Sequence, residues 1–362
     1  MLAFAGVPGQ PGVAKETSNR TLRVFNWNDY IDHSVIASFT QLKGVTVDYS
    51  EYDDNSVLAG RLTHGKSGYD VVVPSAMPWL ARMAQQGLLQ PLDKAKVPNL
   101  KNIAPELAKM VQTADPDNRY GVIYQWGTNG ILYNADMVYA RMPDAPVDSW
   151  GMVFDDTVAA RFKDCGIAFI DSPNEVYPLV FQYLGIDPNT NSVSDLLKAE
   201  KVLIRVRPSI KYFHSSRYLD DLAAGRVCVV VGYSGDYIQS RDRAVQIGKV
   251  QNIAYSIPHE GTNVWFDMMA IPADAPNPDA AHAFINYILQ PDVMAKISSF
   301  TGYANAVPAS NPLVDREVLI NPAIYPPAEV MGRLFTLKVP SLEFDRAMSV
   351  SWARMQAKLK NQ

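Results

Sequence analysis

The stretch "YDVVVPSA", residues 69–76, decides the fold class. Three valines follow Asp70 without polar alternation, and Pro74–Ser75 ends the run. A strand with one wet face would alternate apolar and polar residues, whereas a continuous β-branched run predicts a strand covered by helices on both faces. "RVCVVVGYSGD" at 226–236 repeats the pattern. Working outward, "TLRVFNW" (21–27) and "VTVDYSEY" (45–52) read as strands, with helices through "SVIASFTQLKG" (34–44) and "SVLAGRLTHG" (56–65). Gly44, and Gly65 or Gly68, are placed to close those helices as C-terminal caps. "DAAHAFINYIL" (279–289) sets Ala281, Phe284, Ile285 and Ile288 at helical spacing, and a final amphipathic helix from Phe344 to Lys360 is expected as a C-terminal cover. Strands alternating with helices predict a doubly wound α/β architecture.

At 362 residues the length prior is about two domains. Pro/Gly punctuation near 141–151 and 257–263 marks candidate junctions. A net charge of −4 gives no basic patch for nucleic acid or an anionic membrane. No apolar stretch reaches the roughly 18 residues of a membrane helix, so no membrane insertion is expected. The opening "MLAFAGV" is apolar but has no basic residue before it. Residues 1–19 are therefore read as a flexible remnant, such as a trimmed export signal, outside the fold. Cys165 and Cys228 are the two cysteines, and from count alone a bridge and two buried thiols are equally good readings.

Catalytic motifs are missing. The chain has no GxSxG, no P-loop and no GxGxxG after a strand. His33, His64, His214, His259 and His282 show no metal-ligand spacing, so neither a metal nor a cofactor is expected. "HSSRY" (214–218) reads as a loop leading into the helix "LDDLAAG".

One residue chemistry does recur after strands. "NWNDY" (26–30) holds Trp27, Asn28, Asp29 and Tyr30, and "VPSA" holds Ser75. "QWGTNG" carries Trp126, "IDSPNEVY" Glu175, and "GYSGD" Tyr233 and Asp236. "VWFDMMA" carries Trp265 and Asp267, and "TGYANA" carries Tyr303. None of these seven segments contains Lys or Arg. An amino acid, phosphate or dicarboxylate would need a cation in its pocket. If the segments converge, the site is acidic and ring-lined, which suits an elongated cation with apolar spacers: carboxylates take the ammonium groups, and rings cover the methylenes. A neutral sugar is the competing ligand, and a carboxylate-based glycosidase the competing enzyme class.

"NWNDYI", "GYDVVVPSA", "QPLDK", "WGTNGILYN", "APVDSW", "YFHSSRYLDDLAAG", "CVVVGYSGD", "WFDMMAIPADA", "GYANA" and "YPPAEV" run in order from about residue 21 to the C-terminus. Together they resemble the bacterial periplasmic polyamine-binding proteins, the solute receptors of putrescine/spermidine ABC importers. The resemblance implies a two-lobed receptor of the second structural type, each lobe a mixed sheet flanked by helices, closing on a ligand in the interlobe cleft. By analogy the first lobe holds 20–122 and 265–301, and the second 123–264 and 302–362. Trp27, Asn28, Asp29, Tyr30, Ser75, Glu175, Tyr233, Asp236, Trp265, Asp267 and Tyr303 then fall on ligand-binding positions, with Asp236 and Asp267 anchoring an amine together. Cys165 and Cys228 match positions that pair as a disulfide, which fits an oxidising periplasm. The implied partners are a polyamine and the permease subunits of an ABC transporter in the inner membrane, with the receptor a monomer and not an enzyme. Trp265 stands where putrescine receptors tend to carry Phe, so spermidine is the expected preference. Met77, Pro78 and Trp79 depart from the family pattern beside Ser75, which makes them candidates for altering ligand size, and Asp54 and Ser56 replace a usual Ser and Glu.

Overall fold

The structure, a computed structural model, describes residues 21–357. Residues 1–19, and the last turn expected for the final helix, lie outside that range. Strands β1 (Thr21–Trp27), β2 (Thr46–Tyr52) and β3 (Val71–Val72) are mutually parallel, with β1 between the others. On the far side, β5 (Ile167–Phe169), β6 (Ile210–Phe213) and β7 (Val229–Tyr233) form a second parallel set with β5 central. Two strands antiparallel to these join them: β4 (Gly121–Asn134) and β9 (Val264–Ala270). The order is β2-β1-β3-β9-β4-β7-β5-β6, with β8 (Ile253–Ser256) and β10 (Ala304–Asn305) also paired to β4. This is the two-lobed α/β arrangement expected, with a mixed sheet in each lobe.

Each local choice has a visible cause. Val71, Val72 and Val73 are almost fully buried, as are Val229, Val230 and Val231, because helices cover both faces of these strands. Asp32 and Asp54 cap the helices His33–Lys43 and Asn55–Thr63, accepting from the amides of Ser34 and Ser56 at 2.8 and 2.7 Å. The departure at 54 and 56 thus keeps a capping function. Gly44 closes the first helix in the left-handed region, where a side chain would be strained.

β4 carries the lobes together. Its first half, to Thr128, pairs with β9, and its second half, from Asn129, pairs with β7 and β8. All of its residues are buried. The Pro/Gly-rich stretch near 141–151 is a loop between helices. The stretch 257–263 instead links β8, paired to the second half of β4, to β9, paired to its first half, and so changes over between the two strand sets as a junction should. Cys165 and Cys228 form a disulfide with Cα atoms 5.5 Å apart, tying the approach to β5 to the start of its neighbour β7. The helix Leu342–Ala357 buries Phe344, Met348, Trp352 and Met355. Among the described residues no helix is long and apolar enough to cross a membrane.

Candidate functional site

A cavity of about 660 Å³ lies where the two sheets face each other beyond the carboxyl ends of their parallel strands. All eleven residues expected to bind ligand line it. Trp27, Asn28, Asp29 and Tyr30 come from the end of β1, Ser75 follows β3, and Glu175 sits in the first turn of the helix Pro173–Tyr183. Tyr233 ends β7, and Asp236 opens the helix Asp236–Gln246. Trp265 and Asp267 project from within β9, and Tyr303 precedes β10.

Five carboxylates line the cavity, Asp29, Asp53, Glu175, Asp236 and Asp267, and the last three are held by neutral donors. Asp267 accepts from the Ser75 hydroxyl at 2.7 Å, and Ser75 is braced by Asn55 through two contacts of 3.1 Å. Asp236 accepts from the hydroxyls of Tyr218 and Tyr303, one on each oxygen. Glu175 accepts from Tyr233 at 3.0 Å and from the Asn129 amide at 3.4 Å. Among the described residues no Lys or Arg lines the cavity. Burial therefore dominates, and it pushes Asp236 up to about 6 and Asp267 up to about 7, and raises Glu175. The hydroxyl donors pull each group back toward the charged form. Asp236 and Asp267 hang from separate hydroxyl sets.

Rings fill the space between. Tyr30 and Trp265 each meet Tyr303 edge-on, at 5.3 and 5.4 Å, and Tyr233 meets Trp265 at 5.8 Å. Trp27 packs on Tyr52 at 4.6 Å and donates its indole N–H to the Val73 carbonyl at 2.9 Å. Buried acid with aromatic walls attracts a cation by charge and by ring quadrupole, and offers methylenes an apolar path.

The sequence reading needs three corrections. Trp126 is not at the cavity: it is buried, donates to the Asn305 carbonyl at 3.0 Å and lies near Phe266. The pleat of β4 turns it away from the face that Gly127 presents. Met77, Pro78 and Trp79 do not line the cleft either. Met77 borders a separate cavity of about 310 Å³ with Asn263 and Leu337, and Pro78 borders another of about 400 Å³ with Phe181 and Phe344. Finally, a cation does reach the rim. Arg243, seven residues beyond Asp236 on the same helix, donates to Asp29 at 2.6 Å and to Asp220 at 2.8 Å.

Several lining residues were missed. Tyr52 and Asp53 end β2, and Ser215 and Ser216 follow β6, so the same strand-end rule applied to "DYSEYD" and "HSSRY" finds them. Gln239 lies one helical turn past Asp236. Among the described residues no group of three or more His, Cys, Asp and Glu is placed to hold a metal ion.

Residues 34–323 match the model of the family described as bacterial extracellular solute-binding protein. The chain is 46% identical to the putrescine-binding periplasmic protein PotF of Escherichia coli over 93% of its own length and 92% of that protein. It is 42% identical to the putrescine-binding periplasmic protein SpuD of Pseudomonas aeruginosa over 99% of its length and 97% of that protein. Among solved structures, the spermidine/putrescine ABC transporter substrate-binding protein PotD of Streptococcus pneumoniae superposes with a TM-score of 0.76 at 28% identity, covering 93% of this chain and 98% of that one.

Proposed function

The chain belongs to the bacterial extracellular solute-binding proteins, a family of receptors rather than enzymes, and from that premise we propose that it captures a polyamine and delivers it to an ABC permease. The observation that carries this reading is the set of three carboxylates, Glu175, Asp236 and Asp267, held by neutral donors around an aromatic cavity that no Lys or Arg lines among the described residues. Leaving such acids uncompensated is costly, and a bound ammonium, anchored by Asp236 and Asp267 together, restores the balance. The eleven lining residues named from sequence are the proposed contacts. The lobes meet through β4 and β9, the proposed hinge. The periplasm is the proposed compartment, where the Cys165–Cys228 bridge would persist, and the receptor acts as a monomer.

Spermidine is the proposed preference, because the Trp265 indole offers a longer wall to a methylene chain than a phenyl ring does. The second reading, putrescine, is supported by the printed names of the 46% and 42% identical relatives. Calorimetric titration with putrescine, cadaverine, spermidine and spermine, with a neutral sugar and an amino acid as controls, tests both. Binding of sugar or amino acid without any polyamine overturns the proposal, and a clear advantage for putrescine overturns the preference.

A further inference from the structure

Two walls of the cleft rest on glycines that backbone geometry does not require. Gly235 has φ −73° and ψ −26°, ordinary right-handed values, and Gly127 is not among the positive-φ glycines. Gly127 also sits inside β4, where glycine weakens a strand unless something must approach closely. Something does. In the β4–β9 register Gly127 faces Trp265, and a Cβ at 127 would lie 2.6 Å from Cζ2 and 2.9 Å from Cη2 of the indole. It would also lie 2.7 Å from the Ser234 hydroxyl, which can rotate aside as a rigid ring cannot. At Gly235 a Cβ would stand 2.6–2.7 Å from three atoms of the Tyr303 ring. Among the described residues the buried indole Nε1 has no hydrogen-bond partner, and Tyr233 and Tyr303 pack against the ring.

We infer that Gly127 is a specificity-determining position: its missing side chain is the seat of the Trp265 indole and sets the width of the methylene channel. This rests on the polyamine reading. One added methyl must displace the six-membered ring by about 1 Å to restore van der Waals contact, and Tyr233 and Tyr303 already touch that ring on two sides. The wall that moves is one the ligand lies against. Phenylalanine at 265 lacks the atoms that collide, so the cost of a methyl at 127 depends on which ring stands opposite. Gly235 works by the same rule at the other wall, where displacing Tyr303 also disturbs its bond to Asp236.

The test is a double-mutant cycle on the full chain with Gly127→Ala, Trp265→Phe and both, read by calorimetry with spermidine and putrescine and by thermal melting. Gly127→Ala should weaken spermidine binding at least tenfold and putrescine binding less, while in the Trp265→Phe background the same change should cost under threefold. Equal losses in both backgrounds, or no loss in either, overturn the inference. If Gly127→Ala folds only when Trp265→Phe is present, the indole is the partner and the inference stands. If the double variant also fails to fold, the strand itself needs the glycine and the inference falls. Wild-type chain that binds no polyamine would instead sink the polyamine reading.

Discussion

Arg243 and Asp29 meet at 2.6 Å across the mouth of the cleft, one from the helix that begins at Asp236 and the other from the end of β1. The two come from opposite lobes, so the pair exists only when the lobes are together. A second nitrogen of the same guanidinium holds Asp220 at 2.8 Å within its own lobe, which fixes the arm that reaches across.

Replacing Arg243 by Gln should therefore speed ligand release and leave the fold intact. The pair is partly solvated, so its worth is about 0.5–1 kcal/mol, a threefold effect on the dissociation rate. Stopped-flow release at low and high salt checks this, and the wild-type rate should rise toward that of the variant as salt increases.

Asp267→Asn keeps the shape of the site and removes a charge. Polyamine affinity should fall tenfold or more, about 1.4 kcal/mol or above, because an ammonium is left without its counterion. Calorimetry decides, and unchanged affinity would remove Asp267 from the site.

Acidity should act oppositely on empty and loaded protein. Burial lifts Asp236 to about 6 and Asp267 to about 7, above the ordinary carboxylate value near 4. Arg243 moderates the first, while Asp29 opposes it, and Glu175 raises the second. Between pH 4 and 7 the empty native state holds more protons than the unfolded chain, so these groups make it lose stability as pH rises. A bound cation requires both acids charged, so affinity should grow over pH 5.5–7.5 with proton release. Titrations in buffers of different ionisation enthalpy count those protons, and the melting gap between loaded and empty protein should widen with pH.

Serine at both Cys165 and Cys228 should lower the melting temperature without touching ligand affinity. The bridge closes a segment of 63 residues, worth about 4 kcal/mol in the chain-entropy model and roughly 5–10 °C in melting temperature. Scanning calorimetry with and without polyamine separates the two effects.

The valine runs made both parallel sets readable, because burial on two faces leaves no polar alternation to confuse with a helix. The acids and rings were readable as residue types after strands. Their grouping was not: Trp126 and Trp265 look alike in sequence, yet Trp265 faces the cleft and Trp126 the interior beside Asn305, a matter of pleat phase. Arg243 was missed because it reaches Asp29 from 214 residues away, and the rule used counted only local segments. Tyr218 lay in "HSSRY" and was passed over, since a buried tyrosine is ordinarily core and nothing local says that its hydroxyl will hold Asp236.

β4 has a consequence for how closure can be observed. The strand shared by both lobes is buried along its length and bonded on both edges by β9, β7, β8 and β10. Its amides should exchange with deuterium only when the whole molecule unfolds, so the pivot stays silent in an exchange experiment whether the jaws are open or shut. Ligand-dependent protection belongs instead at the rim, in residues 28–30 and in the first turns of the helix Asp236–Gln246. At the proposed elbow the backbone is dry and bonded on both edges, and the movement around it is expected in the amides at the rim.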